Sequence, residues 1–310
     1  MLSFFLIAGI SYLYFLISLT EVNTLIGAYL PWLFLVFSFP HFMATYWVWF
    51  SRVESWKKEW LPLSFPLVYV LIFFMATKGL FGADAVEIIL KSSYLYLLYH
   101  FAQQLYGVTL WLGYKSGVVY SIYQKLSLRA FFIVAALYAW IEMETRGVVN
   151  ILFYHSVSHW NLPSEYVTAS FFLVFVFTLI SIVWCLMSYF KSKNAKRLLT
   201  LIPMGVAWLW FLPPFNQNMI LLLPIFHGIQ YLPFIKLKGR ALSGTYWLVL
   251  SGVFIGLGWF FFRWLPFHLP VTTFEGTLWP AFILTLLNNH HFFIDGRIWK
   301  LRDPSNQDLL

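Results

Sequence analysis

From Thr168 to Phe190 the chain reads TASFFLVFVFTLISIVWCLMSYF, twenty-three residues without a charge. At about 1.5 Å of helical rise per residue, such a run exceeds the roughly 30 Å of hydrocarbon in a bilayer. It belongs to a series. Apolar runs separated by charged loops lie near 2–19, 25–50, 61–77, 88–114, 130–145, 168–190, 198–215, 219–235, 241–262 and 276–295. The whole chain is 61% hydrophobic and 10% charged, against about 45–50% and about 25% in soluble domains. Backbone polar groups in lipid must be satisfied internally, and the alternation of a membrane β-barrel is absent, so the runs are expected to be helices. The expected fold is all-α: a polytopic transmembrane bundle of about ten spans forming one integral membrane domain over residues 1–310.

Charge distribution tests this expectation. Sixteen of the twenty basic residues fall in alternate loops: Arg52, Lys57 and Lys58; Lys115, Lys125 and Arg129; Lys191, Lys193, Lys196 and Arg197; Lys236, Lys238 and Arg240; Arg297, Lys300 and Arg302. The other side holds Lys78, Lys91, Arg146 and Arg263. Positive loops stay inside, which places both termini, including a short tail at 296–310, in the cytoplasm and points to a bacterial inner membrane. The net charge of +8 is thus a topology signal and does not imply a nucleic-acid partner. The first run lacks a basic n-region and a small-residue cleavage site, so it reads as a retained span. The lone Cys185 cannot form an intramolecular disulfide.

Smaller features complete the outline. Pro213 and Pro214 in FLPPFNQN suggest a tight hairpin between the seventh and eighth spans. Gly252 and Gly256 have the spacing of a helix-packing face. The segment near 142–167 reads as an interfacial helix with Tyr154 and Trp160 at headgroup level. On such a helix His155 and His159 would share a face at i, i+4, a spacing that outer-loop histidines often show without a metal.

Five further histidines interrupt the spans themselves: His41 in the second, His100 in the fourth, His227 in the eighth, and His290 with His291 in the tenth. Charged types inside lipid cost roughly 2.5–3.5 kcal/mol on insertion scales, and ionisable residues there usually face the bundle interior and carry function. All five lie on even-numbered spans, in the cytoplasmic half or near the midplane, so four helices can direct imidazoles into one layer. Polar neighbours accompany them at helical spacing. His100 precedes Gln103, Gln104 and Tyr106; His227 precedes Gln230 and Tyr231; His291 lies between Asn288 and Asp295; His41 follows Pro40 and precedes Thr45 and Tyr46. Metal-bound histidines donate their second N–H to such partners. The expected site is therefore a metal centre with His41, His100, His227, His290 and His291 as ligands. Gln103, Gln104, Gln230 and Asn288 would support them, and Tyr106, Tyr231 or Asp295 would handle a proton.

SFPHFMATY and LYHFAQQLYG resemble the Pro-His and His-Phe motifs on membrane helices of bacterial β-carotene dioxygenases of the Brp/Blh type. That resemblance implies a single iron held by four helix-borne histidines and oxidative cleavage of a carotenoid. It carries a ligand role to His41 and His100, and by helix order to His227. The Gly and Asp that follow these histidines in the family are absent here, Tyr231 stands where a second histidine would follow His227, and NNHHFFIDGRIWK lies outside the family pattern. The whole set of motifs is more similar to bacterial multi-pass membrane proteins without an assigned activity.

Imidazole suits iron, zinc, copper and nickel alike. The histidine boxes of di-iron desaturases are missing, as are GxSxG, HExxH, CxxC and phosphate-loop motifs. The function expected is a non-haem iron oxidoreductase or oxygenase acting on an apolar lipid or isoprenoid that arrives through the bilayer. Three alternatives remain open at this point: a zinc-dependent lipid hydrolase, a b-type haem electron carrier, and a transporter or proton relay. Against the last, the outer halves of the same helices show few polar residues, Lys91 and Gln217 excepted. The tail GRIWKLRDPSNQDLL reads as a headgroup anchor around Trp299, or as a docking site for a redox partner.

Overall fold

In the computed structural model, residues 31–52, 59–82, 84–147, 151–212, 217–238, 243–268 and 276–299 are described. Nine helices run through them: α1 Pro31–Arg52, α2 Trp60–Thr77, α3 Ala85–Lys115, α4 Ile122–Arg146, α5 Ser164–Ser192, α6 Leu201–Phe211, α7 Gln217–Lys238, α8 Gly244–His268 and α9 Leu278–Ile298. Each coincides with one of the apolar runs from the second onward. The first run, at 2–19, the Pro213–Pro214 break and the tail beyond Trp299 lie outside the described residues.

Five helices, α1, α2, α4, α5 and α8, are long and apolar enough to cross a membrane. Of the others, helix α6 has eleven residues, about 16 Å at helical rise. Helices α3 and α9 carry His100 and the His290–His291 pair, and their polar residues dilute the hydropathy that defines a span.

Local signals set the helix ends. Helix α4 begins at a capping box, in which Ser121 Oγ accepts from Gln124 N and Gln124 Oε1 accepts from Ser121 N. It ends at Gly147, whose φ of 61° is the left-handed conformation glycine adopts freely. Among the described residues of 142–167, α4 stops at Arg146, α5 starts at Ser164, and no interfacial helix lies between them. Instead Ile151–Leu152 (β1) pairs antiparallel with His155–Ser156 (β2) across Phe153 and Tyr154, both at positive φ, as a two-residue hairpin turn requires. His155 and His159 therefore share no helical face. His155 Nδ1 meets Thr277 Oγ1 at 2.8 Å, and burial pushes this imidazole below its ordinary pKa, with Glu87 opposing the shift.

Helix α9 packs against α1, α2 and α3 and so sits at the centre of the site described below. Helix α7 reaches the same place through a close approach to α1. A Cβ at Gly228 would run into the Phe37 carbonyl. Among the described residues Gly252 and Gly256 do no such work, since a Cβ at either meets nothing within 4 Å. Gly258, two residues on, is the glycine that packs on Phe39: a Cβ there would come within 3.0 Å of the Phe39 carbonyl carbon.

Candidate metal centre

Pro40 has no N–H, and its ring excludes an ordinary α-turn bond before it. The chain opens there into a π-turn over Phe34–Ser38, a distortion frequent at functional sites. One turn later His41 Nδ1 lies 2.7 Å from the Ser38 carbonyl. A carbonyl oxygen only accepts, so Nδ1 carries the proton and the Nε2 lone pair of the neutral ring is free. That lone pair points 3.1 Å to Nε2 of His291.

Four imidazoles from four helices close a ring in the order His41, His291, His100, His227. Successive centroid separations are 4.7, 5.6, 4.8 and 4.6 Å. Across the second close pair, His100 Nε2 and His227 Nε2 are 3.2 Å apart. Ligand atoms of His41, His227 and His291 all lie within 4.8 Å of one another, and so do those of His100, His291 and Asp295. All five residues are buried. Two nitrogens bound to one ion at about 2.0–2.1 Å in tetrahedral geometry would stand about 3.3 Å apart. The two Nε2–Nε2 separations are close to that edge length.

Asp295 faces the ring from one side. Its Oδ1 accepts from Thr45 Oγ1 at 3.0 Å, Tyr231 OH at 3.0 Å and Trp299 Nε1 at 2.8 Å. The Thr45 and Tyr231 hydroxyl oxygens also lie 2.8 Å apart, so their two protons are shared among three contacts, and the Trp299 indole N–H reaches the Tyr231 hydroxyl as well. With Oδ1 engaged by these donors, Oδ2 is left toward the ring, 3.6 Å from His100 Nε2. Aromatic rings jacket the cluster: Phe42 sits 4.1 Å from His291, Phe292 stacks on His100 at 4.3 Å and Phe101 lies 4.7 Å from His227. Such walls keep bulk water from the nitrogen atoms.

His290 is not part of the ring. Successive helical residues point about 100° apart, so only one of the adjacent pair can face inward. His290 Nε2 meets the Pro62 carbonyl at 3.1 Å and its Nδ1 meets Tyr46 OH at 2.9 Å, which occupies both nitrogens. The expected supporting residues also divide. Asn288 bonds the Leu284 carbonyl of its own helix at 2.6 Å. Gln103 accepts from Arg129 Nε at 3.1 Å, on the flank facing α4. Tyr106 packs against Phe132 of α4, 6.5 Å between centroids, away from the ring. Gln104 Oε1 is buried without a partner. Among the described residues both amide atoms of Gln230 are buried without a partner, as are Nδ1 of His227 and of His291.

Sequence spacing missed two contributors. The Ser38 carbonyl fixes His41, and no side-chain pattern marks a backbone oxygen. Trp299, expected at the lipid headgroups, turns inward to Asp295; its i+4 position after that aspartate is the signal that would have found it.

The donor set suits a metal ion on three counts. The four nitrogens are neutral-imidazole donors with one tautomer already fixed by a carbonyl. One carboxylate oxygen is spare. The Gln230 amide is a buried polar group with no hydrogen-bond partner among the described residues. Comparison with known proteins adds no name: no family model, curated protein or solved structure matches the chain.

Proposed function

We propose that the chain is an integral membrane oxidoreductase whose non-haem iron is held by Nε2 of His41, His100, His227 and His291, with Oδ2 of Asp295 beside them. The observation that carries this reading is the closed ring of four buried imidazoles, with Nε2 pairs at 3.1 and 3.2 Å. Close-set nitrogens also favour one bare ion over haem, whose plane would have to pass between two axial nitrogens. Iron bound here would supply redox chemistry toward dioxygen at its remaining positions.

The protein's own residues do the rest. Ser38 and the Thr45–Tyr231–Trp299–Asp295 network hold two donors in orientation. Phe42, Phe101 and Phe292 exclude water, and Asp295 Oδ2 is the position at which a proton is held near the reacting atoms. A site enclosed by apolar helices favours a lipid or isoprenoid substrate arriving sideways, in keeping with the resemblance to carotenoid-cleaving enzymes. The sixteen basic residues on alternate loops support a ten-span topology, cytoplasmic termini and a bacterial inner membrane, with the site in the cytoplasmic half.

The test is metal analysis by mass spectrometry, with an absorption spectrum, on the detergent-purified protein and on a variant with His41, His100 and His227 changed to alanine. Near-stoichiometric iron without a Soret band, lost in the variant, is the expected result. Zinc in place of iron would shift the reading to a lipid hydrolase, in which the spare Asp295 oxygen serves as base. No metal after anaerobic reconstitution with iron and zinc would overturn the enzyme reading.

A further inference from the structure

Helices α3 and α4 leave between them a groove of about 300 Å³, at the lower end of the roughly 300–1,000 Å³ of ligand sites. Ser92, Leu95, Tyr96 and Tyr99 of α3 line it against Ile133, Ala136 and Leu137 of α4. Its two ends differ. At the end where the basic loops lie, the exposed Arg129 donates to Tyr99 OH at 3.3 Å and to Gln103 Oε1 at 3.1 Å. Among the described residues no carboxylate pairs with this guanidinium. Apart from Ser92 and the tyrosine hydroxyls, the rest of the groove is apolar and leads away from Arg129 along both helices. On its inner wall Tyr96 meets the edge of Phe292 at 5.6 Å, and Phe292 is the ring stacked on His100 at 4.3 Å. Two side chains therefore separate the groove from the histidine ring.

We propose that this groove docks one chain of an acidic membrane lipid, with its anionic headgroup on Arg129 and its hydrocarbon running between α3 and α4 past Tyr96. A guanidinium with no carboxylate partner among the described residues at one end, and an apolar trough beyond it, match the polarity of a single lipid in the leaflet that faces the basic loops. Phosphate suits the arginine because its fork can bind two oxygens. That the docked chain is the substrate rests on the metal-centre reading; that the groove holds it does not.

The experiment uses the full chain in nanodiscs containing phosphatidylglycerol or phosphatidylcholine with a diazirine on one acyl chain. After irradiation, labelled peptides and metal content are read from the same sample. The expected labels fall on 92–99 and 133–137, about fivefold more from phosphatidylglycerol, as one basic residue at an anionic headgroup warrants. Arg129→Gln should equalise the two lipids, and Ala136→Leu, which narrows the trough, should reduce both. Labels spread evenly over the exposed faces of α2 and α5, or equal yields from the two headgroups in the unaltered protein, would overturn the proposal. Metal bound with the groove unlabelled sinks the docking alone. A labelled groove without metal sinks the oxidoreductase reading and leaves the docking intact.

Discussion

His41 and His291, 250 positions apart in the chain, bring their Nε2 atoms to 3.1 Å in the middle of the bundle. Neither helix could reach that contact alone. Pro40 and the π-turn position His41, while α9 presents His291 between α1 and α3. The pairing is what turns scattered intramembrane histidines into a donor set.

The two adjacent histidines of α9 should separate cleanly by mutation. His291→Ala removes a ring member, and metal content should fall by more than the about 10–100-fold that losing a supporting partner costs. His290→Ala breaks the hydrogen bonds to Tyr46 and Pro62 and the ring contacts with Trp49 and Phe65, all outside the ring of four, and should keep its metal. Mass-spectrometric metal-to-protein ratios on both variants check this. Equal loss in both would mean that the ring of four is drawn around the wrong residue.

Trp299→Phe keeps an aromatic ring but deletes the N–H that reaches Asp295 Oδ1 at 2.8 Å. The carboxylate would lose its indole anchor and its orientation toward His100. Metal affinity measured by chelator competition should drop about 10–100-fold, with the protein still monodisperse by size exclusion. An unchanged affinity would remove Asp295 from the metal's surroundings.

Helical character and the layer of histidines were legible because both depend on spacing along single helices. Apolar runs of about twenty residues and i, i+4 relations survive folding unchanged. Failures came where a choice depended on a neighbour. Which of His290 and His291 faces inward is set by how α9 rotates against α1 and α2, and spacing cannot fix that rotation. Gln103 and Asn288 share a helix with a ring histidine, yet one turns to Arg129 and the other to its own backbone. The hairpin at 151–156 replaced a helix because Phe153 and Tyr154 adopt positive φ, which non-glycine residues rarely announce. Gly252 and Gly256 match a packing motif in sequence, but among the described residues nothing lies within 4 Å of a Cβ at either.

Gly228 and Gly256 predict opposite responses to a methyl group. Gly228→Ala drives a Cβ into the Phe37 carbonyl beside the π-turn, and overpacking of this kind costs about 1–3 kcal/mol. Gly256→Ala meets nothing within 4 Å and gains helix propensity of about 0.5–1 kcal/mol. Thermal unfolding in detergent, followed by tryptophan fluorescence, should show the midpoint fall for the first and hold or rise for the second. If Gly228→Ala left the midpoint unchanged, α7 would not be pressed against α1 as described.

Lys91 offers the last test, on the opposite end of α3 from the basic loops. Its ammonium is buried between Glu144 at 2.8 Å and Glu87 at 3.1 Å and stands 4.5 Å from the centre of the Trp160 ring. Glu144 Oε2 also accepts from Trp160 N at 3.0 Å, so this one cluster ties the 157–163 segment onto α3 and α4. Lys91→Met leaves a buried carboxylate without its cation, which costs about 3–5 kcal/mol when a buried pair is broken. Combining it with Glu144→Gln removes the orphaned charge and should recover much of that loss. The double-mutant cycle in unfolding free energy measures the coupling. Because Lys91 lies nine residues from His100 along α3, about 13 Å at helical rise, metal content should not change in any of the three variants. A metal loss in Lys91→Met that Glu144→Gln failed to rescue would instead mean that the outer cluster and the histidine ring form one coupled polar network.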